Sequence, residues 1–393
     1  MKFDALKSTN NLSSFSIKFH DRKIEDIAII GMGLNFPQSP TKDIFWEHLC
    51  AGEDLTTTFP ISRKKMMEPY LKYAGFPDEM CEYLPGAYLE EIDTFDHAFF
   101  HVTPNEAGFM DPTQRLFLQC AYTAMEDAGY GGNRLSGSRM GIYIGYEADV
   151  PFDYKRLLLE INSNLPSLAV TGNLTSIIAS RLSYLFNLHG PALSVDTACS
   201  SSLVAVHLAC RALLQGDCDV AMAGGVRLHL LPITKYSLNL GTQSIDGKTR
   251  TFSEEANGTV SGEGVAVIIL KSLTKAIRDR DLIYAVIKGG AVNHDGHSIG
   301  VTAPNPAAQE DVIVSAWKNA GIDPRTVSYI EAHGTGTTLG DPIEIEGITR
   351  AFRRFTKDTQ FCAIGSVKSN VGHMDNAAGM AGLIKCILAL QHR

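Results

Sequence analysis

An α/β protein with largely buried sheets is what the hydrophobic pattern specifies. Short, continuously apolar runs alternate with longer segments whose apolar residues recur at helical spacing. Apolar runs lacking polar alternation mark strands covered on both faces. The pattern also occurs twice. Residues 192–215 (ALSVDTACSSSLVAVHLACRALLQ) and 362–391 (CAIGSVKSNVGHMDNAAGMAGLIKCILALQ) each read as strand, small-residue turn and apolar helix. Such a repeat indicates a duplicated half-domain.

Residues 1–23 are polar and rich in Ser, Asn and Lys, and read as a leader or linker. They lack the apolar core of a signal peptide. A strand follows at Ile24–Gly33, its glycines marking a tight turn. The GMG there is only a fragment of a dinucleotide fingerprint, since NFPQSP replaces the helix that should open next. Between 40 and 140 helices mix with loops, the clearest starting near Pro112 and stopping at Gly129. The first series then runs GIYIGY, ALSVDTA, a long helix, VAMAGGV and VAVIILK. The second runs YAVIKGGAV, a helix from Ala307 to Ala320, YIEAHG, a helix from Pro342, CAIGSVKS and a helix from Ala377. Two strands follow the buried helix of the first series and none follows that of the second. The second half is therefore expected to lack its last strands. The divisions are 24–275 and 276–393, the latter incomplete.

The chain has 393 residues, 45% hydrophobic and 20% charged, with a net charge of −8. No block of Lys and Arg suggests a nucleic-acid or anionic-membrane partner. No apolar run is expected to reach the roughly 18–20 residues that span a bilayer. The sequence reads as soluble and cytoplasmic. Its eight cysteines form no CxxC pair, so they read as reduced thiols, and no spacing suggests a metal.

Three segments carry the candidate chemistry. DTACSSS (196–202) lies between a strand and a helix apolar on nearly every face, from Leu203 to Leu214, which is therefore expected to be buried. Cys199 stands where that helix begins, so its thiol is expected below the free value of about 8.5 and nucleophilic. Cys120, Cys210 and Cys386, inside helical patterns, read instead as inert core thiols. EAHGTGT (331–337) ends a strand at His333, and Asp341-Pro-Ile-Glu344 reads as a capped helix start. GSVKSNVGHMDNAAG (365–379) delivers Lys368 and His373 before a helix. Singly, each histidine reads more readily as structural. Together they are three strand ends opening into turns, which in α/β sheets converge where ligands bind. One thiol and two imidazoles, with no carboxylate base in the motifs, suit an acyl-enzyme reaction with hydrogen-bond donors for an oxyanion.

These motifs, with MDPTQRLFL (110–118), AGGV (223–226) and VTAPN (301–305), closely resemble the ketosynthase (β-ketoacyl synthase) domain of modular polyketide synthases, in the thiolase-like superfamily. The resemblance covers about residues 24–393. It implies a five-layer αβαβα sandwich of two pseudo-symmetric halves and a homodimer. It places the catalytic residues at Cys199, His333 and His373, with Lys368 in support through an ion pair or hydrogen bonds, Glu344 its suggested partner. It implies acylation of Cys199 from phosphopantetheine of an acyl carrier protein, then decarboxylative Claisen condensation with a malonyl-type extender. The main-chain N–H of Cys199 is an implied oxyanion donor. No cofactor is implied beyond the carriers' phosphopantetheine. Acyltransferase or modifying domains are further implied partners. Ser261 stands where the family commonly has Arg, and Ser253 where it has Asp. The family's final GFGGTN-type strand does not occur in these 393 residues, which implies an exposed apolar sheet edge and weak condensation by the isolated chain. The alternative is an inactive or split ketosynthase acting only in chain transfer or docking.

Overall fold

The structure is a computed structural model describing residues 25–73, 75, 83–147, 154–161, 164, 166–230, 242–244, 246–298, 300 and 303–392. The leader expected at 1–23 lies outside them. In chain order come β1 (Ile27–Asn35), α1 (Lys42–Ala51), α2 (Ile61–Tyr73), α3 (Pro104–Phe109), α4 (Pro112–Asp127), β2 (Met140–Gly145), α5 (Tyr154–Ile161), α6 (Ser167–Asn173), α7 (Ile177–Phe186) and β3 (Ala192–Val195). Then follow α8 (Ser201–Gln215), β4 (Val220–Arg227), β5 (Gly264–Ser272), α9 (Leu273–Asp279), β6 (Ala285–Ile287), α10 (Pro306–Ala320), β7 (Tyr329–Glu331), α11 (Gly340–Arg353), β8 (Ala363–Gly365), α12 (Lys368–Val371) and α13 (Ala378–Gln391).

A six-stranded mixed sheet, ordered β3-β2-β4-β5-β1-β6, carries the first half. β3, β2 and β4 run parallel, while β5 is antiparallel to β4 and β1. β2 and β5 are buried throughout, as their unbroken apolar runs require. One core lies between this sheet and α4, whose start is set by the Asp111 cap and Pro112. A second core joins the other face to α8 and α13. Beyond them lies the parallel pair β7–β8, packed with Val314 and Trp317 of α10 and Ala351 and Phe352 of α11. The order is therefore helix, sheet, helix, sheet, helix: the five-layer thiolase-like sandwich.

The repeat is visible in the geometry. β3 leads through a 3-10 turn, Ala198–Ser200, into α8, and β8 leads through the short α12 and then a 3-10 turn, Asp375–Ala377, into α13. Several expectations need correction. The glycines of β1 make no turn: β1 continues to Asn35, and a Cβ on Gly31 or Gly33 would meet the α4 backbone at 2.5–2.7 Å. They let α4 lie directly on the strand. β6, expected in the second half, pairs with β1 of the first sheet. Nor is α8 buried all round, because Leu203 is 47% and Leu214 41% exposed. Its segment Ala198–Gln215 is also long and apolar enough to cross a bilayer by length and composition, contrary to expectation. Here it packs on the six-stranded sheet through Ala205, Val206, Ala209 and Ala212. Among the described residues the second sheet has two strands, and Ile364 on β8 is exposed.

Candidate active site

The two half-repeats and the β7 loop meet at one point. The Cys199 sulfur and one ring nitrogen each of His333 and His373 all lie within 4.8 Å of one another. The imidazoles stand edge to face, centroids 5.4 Å apart. Cys199 is half-buried, His373 buried, and His333 open to solvent on one side. Ala198, at φ 53°, takes a left-handed conformation that turns the chain sharply before the cysteine. Cys199 thus sits in the 3-10 turn, ahead of the first residue of α8.

Main-chain bonds fix His373. Its N–H donates to Val260 O at 2.7 Å and its carbonyl accepts from Gly262 N at 2.8 Å. The Asp375 N–H donates to His373 Nδ1 at 2.9 Å. A backbone N–H can only donate, so Nδ1 is the acceptor and the neutral ring carries its proton on Nε2. His333 is fixed through its backbone: Glu344 accepts from His333 N and Gly334 N, both at 2.7 Å. Asp341, expected as a helix cap, instead accepts from Gly336 N and Phe252 N at 3.0 and 2.7 Å, while Leu339 holds the cap position.

Two family models match the chain: the β-ketoacyl synthase N-terminal domain over residues 24–276 and the C-terminal domain over residues 284–393. The chain belongs to the β-ketoacyl synthase family. Among its relatives, polyketide synthase PksL of Bacillus subtilis is 46% identical over 383 residues, covering 95% of this chain and 8% of the relative. Polyketide synthase ThaG of Burkholderia thailandensis is 44% identical over 373 residues, covering 93% of this chain and 6% of its own length. The ketosynthase from module 6 of the Bacillus subtilis bacillaene synthase superposes with a TM-score of 0.82 at 40% identity, over 94% of this chain and 61% of its own. The chain is thus a ketosynthase domain of the polyketide synthase type with the thiolase-like fold, a domain class counted among the acyltransferases. It spans a small fraction of its curated relatives.

The electrostatics of this ketosynthase centre differ from expectation at the nucleophile. Burial pushes the Cys199 thiol up to about 11, the charges of Asp375 and Glu147 act the same way, and Lys368 pulls it down. The helix end that was expected to lower it begins two residues later, and desolvation dominates. Burial pushes His373 down to about 3, with Lys368 and Arg227 adding to it. The protein packed around His333, then Lys368 and His373, hold that ring well below its ordinary value despite its open side. Both rings are therefore neutral at physiological pH. Lys368 is buried at the start of α12, and burial lowers its ammonium while Glu344 and Glu331 oppose the shift. Among the described residues no direct Lys368–Glu344 ion pair forms: the Glu344 carboxylate is turned to the two main-chain donors instead. Cys120 and Cys210 have strongly raised thiols, and Cys386 about 11, each from burial, in keeping with inert thiols.

Sequence reasoning missed Glu331. Its carboxylate accepts from Val367 N and Tyr329 OH, both at 2.5 Å, and pairs with Lys385 at 2.8 Å. It joins β7, the turn before Lys368 and α13 directly behind the histidines. Its position two residues before His333 was the available signal. The cluster of thiol and two imidazoles is also a donor set that zinc favours. The Asp375 N–H opposes that use, since a metal-bound Nε2 requires a protonated Nδ1 facing an acceptor.

Proposed function

We propose that this ketosynthase extends acyl chains in polyketide biosynthesis, with Cys199 as nucleophile and His333 and His373 as hydrogen-bond donors. The Cys199 sulfur attacks the acyl-thioester carbon, the carbon–sulfur bond to pantetheine breaks, and the cysteine proton leaves with the pantetheine thiol. The main-chain N–H of Cys199 is the donor we assign to the oxyanion of that step. A malonyl-type thioester then loses CO2, and the electron pair of the broken bond passes into an enolate whose oxygen the imidazole N–H groups hold. The enolate carbon attacks the acyl-cysteine, the bond to sulfur breaks with its electron pair leaving on sulfur, and the Cys199 thiolate takes a proton from water to restore the thiol. Lys368 orients the site electrostatically, and Glu344 fixes the His333 backbone.

The convergence of one thiol and two neutral imidazoles within 4.8 Å carries this reading. Its partners are acyl carrier proteins presenting phosphopantetheine, and a second copy of the chain. In support of the copy, β3 is an edge of its sheet among the described residues, with Leu193 half-exposed. The test is mass spectrometry of the Cys199 peptide after an acyl-pantetheine and then a malonyl-carrier. Acylation followed by a β-ketoacyl product supports condensation. Acylation that persists without extension assigns chain transfer only, and an unmodified Cys199 overturns the enzymatic reading.

A further inference from the structure

Asp375 lies two residues past His373 and sits at φ 38°, a left-handed conformation costly for a residue with a side chain. It presents two groups of opposite character to one nitrogen. Its N–H donates to His373 Nδ1 at 2.9 Å, and its own Oδ1 stands 3.5 Å from the same Nδ1. The two have opposite consequences. With the N–H in place, Nδ1 is bare and Nε2 carries the proton. With the carboxylate in place, Nδ1 must be protonated, and Nε2 becomes a bare acceptor beside Cys199. The first state is a hydrogen-bond donor for an oxyanion. The second is a carboxylate–imidazole base.

Arg227 is the charged residue that contacts the Asp375 carboxylate. It is the last residue of β4, a strand held between β2 and β5 and buried up to that residue. Its largely buried side chain brings Nε to 2.9 Å from the other carboxylate oxygen, Oδ2, an ion-pair contact without hydrogen-bond alignment. That contact holds the carboxylate toward β4 and leaves the main-chain N–H aligned with the ring. It also offsets a negative charge that raises the cost of ionising Cys199.

We propose that Arg227 is a positioning residue that sets the tautomer of His373: it sequesters the Asp375 carboxylate and so keeps the imidazole a donor at Nε2. The catalytic consequence rests on the function proposed above, whereas the tautomer assignment rests on geometry alone. Removing Arg227 frees the carboxylate to take Nδ1 and converts His373 into a proton acceptor for Cys199. Removing the carboxylate as well makes Arg227 dispensable.

The experiment uses the full chain with 15N-labelled histidine, the His373 ring assigned by its loss in His373→Gln. The wild type and Asp375→Asn show the Nε2–H tautomer. Arg227→Met shifts to Nδ1–H, and Arg227→Met/Asp375→Asn returns to Nε2–H. Arg227→Gln, which keeps a polar end, reports the same shift should the methionine variant not fold. In parallel, decarboxylation of malonyl-pantetheine falls roughly 10²-fold in Arg227→Met, as for loss of one oxyanion donor, and recovers in the double variant. An unchanged tautomer in the Arg227 variants, or a double variant no different from Arg227→Met, overturns the proposal. If the tautomers change as stated while even the wild type fails to decarboxylate, the Arg227 assignment stands and the condensing function falls.

Discussion

Replacing Arg63 by Met strands a carboxylate in the interior. Arg63 is 2% exposed and Glu263 0%. The guanidinium donates to both Glu263 oxygens at 2.6 and 2.9 Å, and to the carbonyls of Leu89 and His229 at 2.8 and 2.7 Å. Glu263 also accepts from Leu89 N and His229 N, each at 2.8 Å. One ion pair thereby ties α2, the 87–89 segment and the 228–230 segment to the 260–263 segment that leads into β5, whose Val260 and Gly262 hold the backbone of His373. Removing one partner of a buried pair costs about 3–5 kcal/mol, because the remaining charge has no water to return to. At roughly 2–4 °C per kcal/mol for a large domain, the melting temperature of Arg63→Met falls on the order of 10 °C. Arg63→Met/Glu263→Leu removes the stranded charge and recovers part of the loss. Recovery is incomplete because replacing Glu263 takes the acceptor away from the Leu89 and His229 N–H groups, each lost hydrogen bond costing about 1 kcal/mol or more. Thermal and urea unfolding of the three proteins at one pH measures this. A loss under about 1 kcal/mol in Arg63→Met, or a double variant less stable than the single, refutes the reasoning.

Two further outcomes follow from the geometry. With the thiol pushed up to about 11, Cys199 is protonated at neutral pH, so its alkylation by iodoacetamide keeps accelerating through pH 9; a plateau below pH 8 contradicts the burial argument. Gly33→Ala places a methyl 2.5 Å from the Cys120 carbonyl oxygen and destabilises by about 1–3 kcal/mol as α4 is forced off β1, measured by urea midpoint; an unchanged midpoint shows that the helix yields freely.

Much of this was legible because local chemistry and global fold agree. Asp111 and Pro112 start α4 where capping rules place it, and Asn305 with Pro306 does the same for α10. The three motif segments converge because each ends a strand on the same side of the layered sheets. What escaped was set by contacts distant in sequence. The Cys199 thiol was expected low from its helix, but Ala198 turns left-handed and places it in a desolvated pocket ahead of that helix. Asp341 reads locally as a cap, yet Phe252, far away in the chain, claims its carboxylate. Periodicity gives β6 to the second half, but only pairing with β1 settles its sheet. The apolar face of α8 says that it needs cover without saying how much of it the neighbouring layers reach.

The disposition of carboxylates bears on which reaction the centre suits. Glu331, Asp341 and Glu344 surround the histidines, and a carboxylate beside an imidazole often acts as a base or makes the imidazole one. Here each is occupied with main-chain N–H groups: Val367 for Glu331, Gly336 and Phe252 for Asp341, His333 and Gly334 for Glu344. Asp375 is drawn to Arg227. Both imidazoles are neutral, and the Nδ1 lone pair of His373 is spent on a backbone N–H. The charges available to abstract a proton from carbon are thus used to hold donors in place. A centre so arranged is poorly suited to make a carbanion by deprotonation and well suited to receive one as its charge develops on oxygen. Breaking a carbon–carbon bond to CO2 supplies that electron pair without any base, which is why the function proposed above takes the decarboxylative route to the enolate.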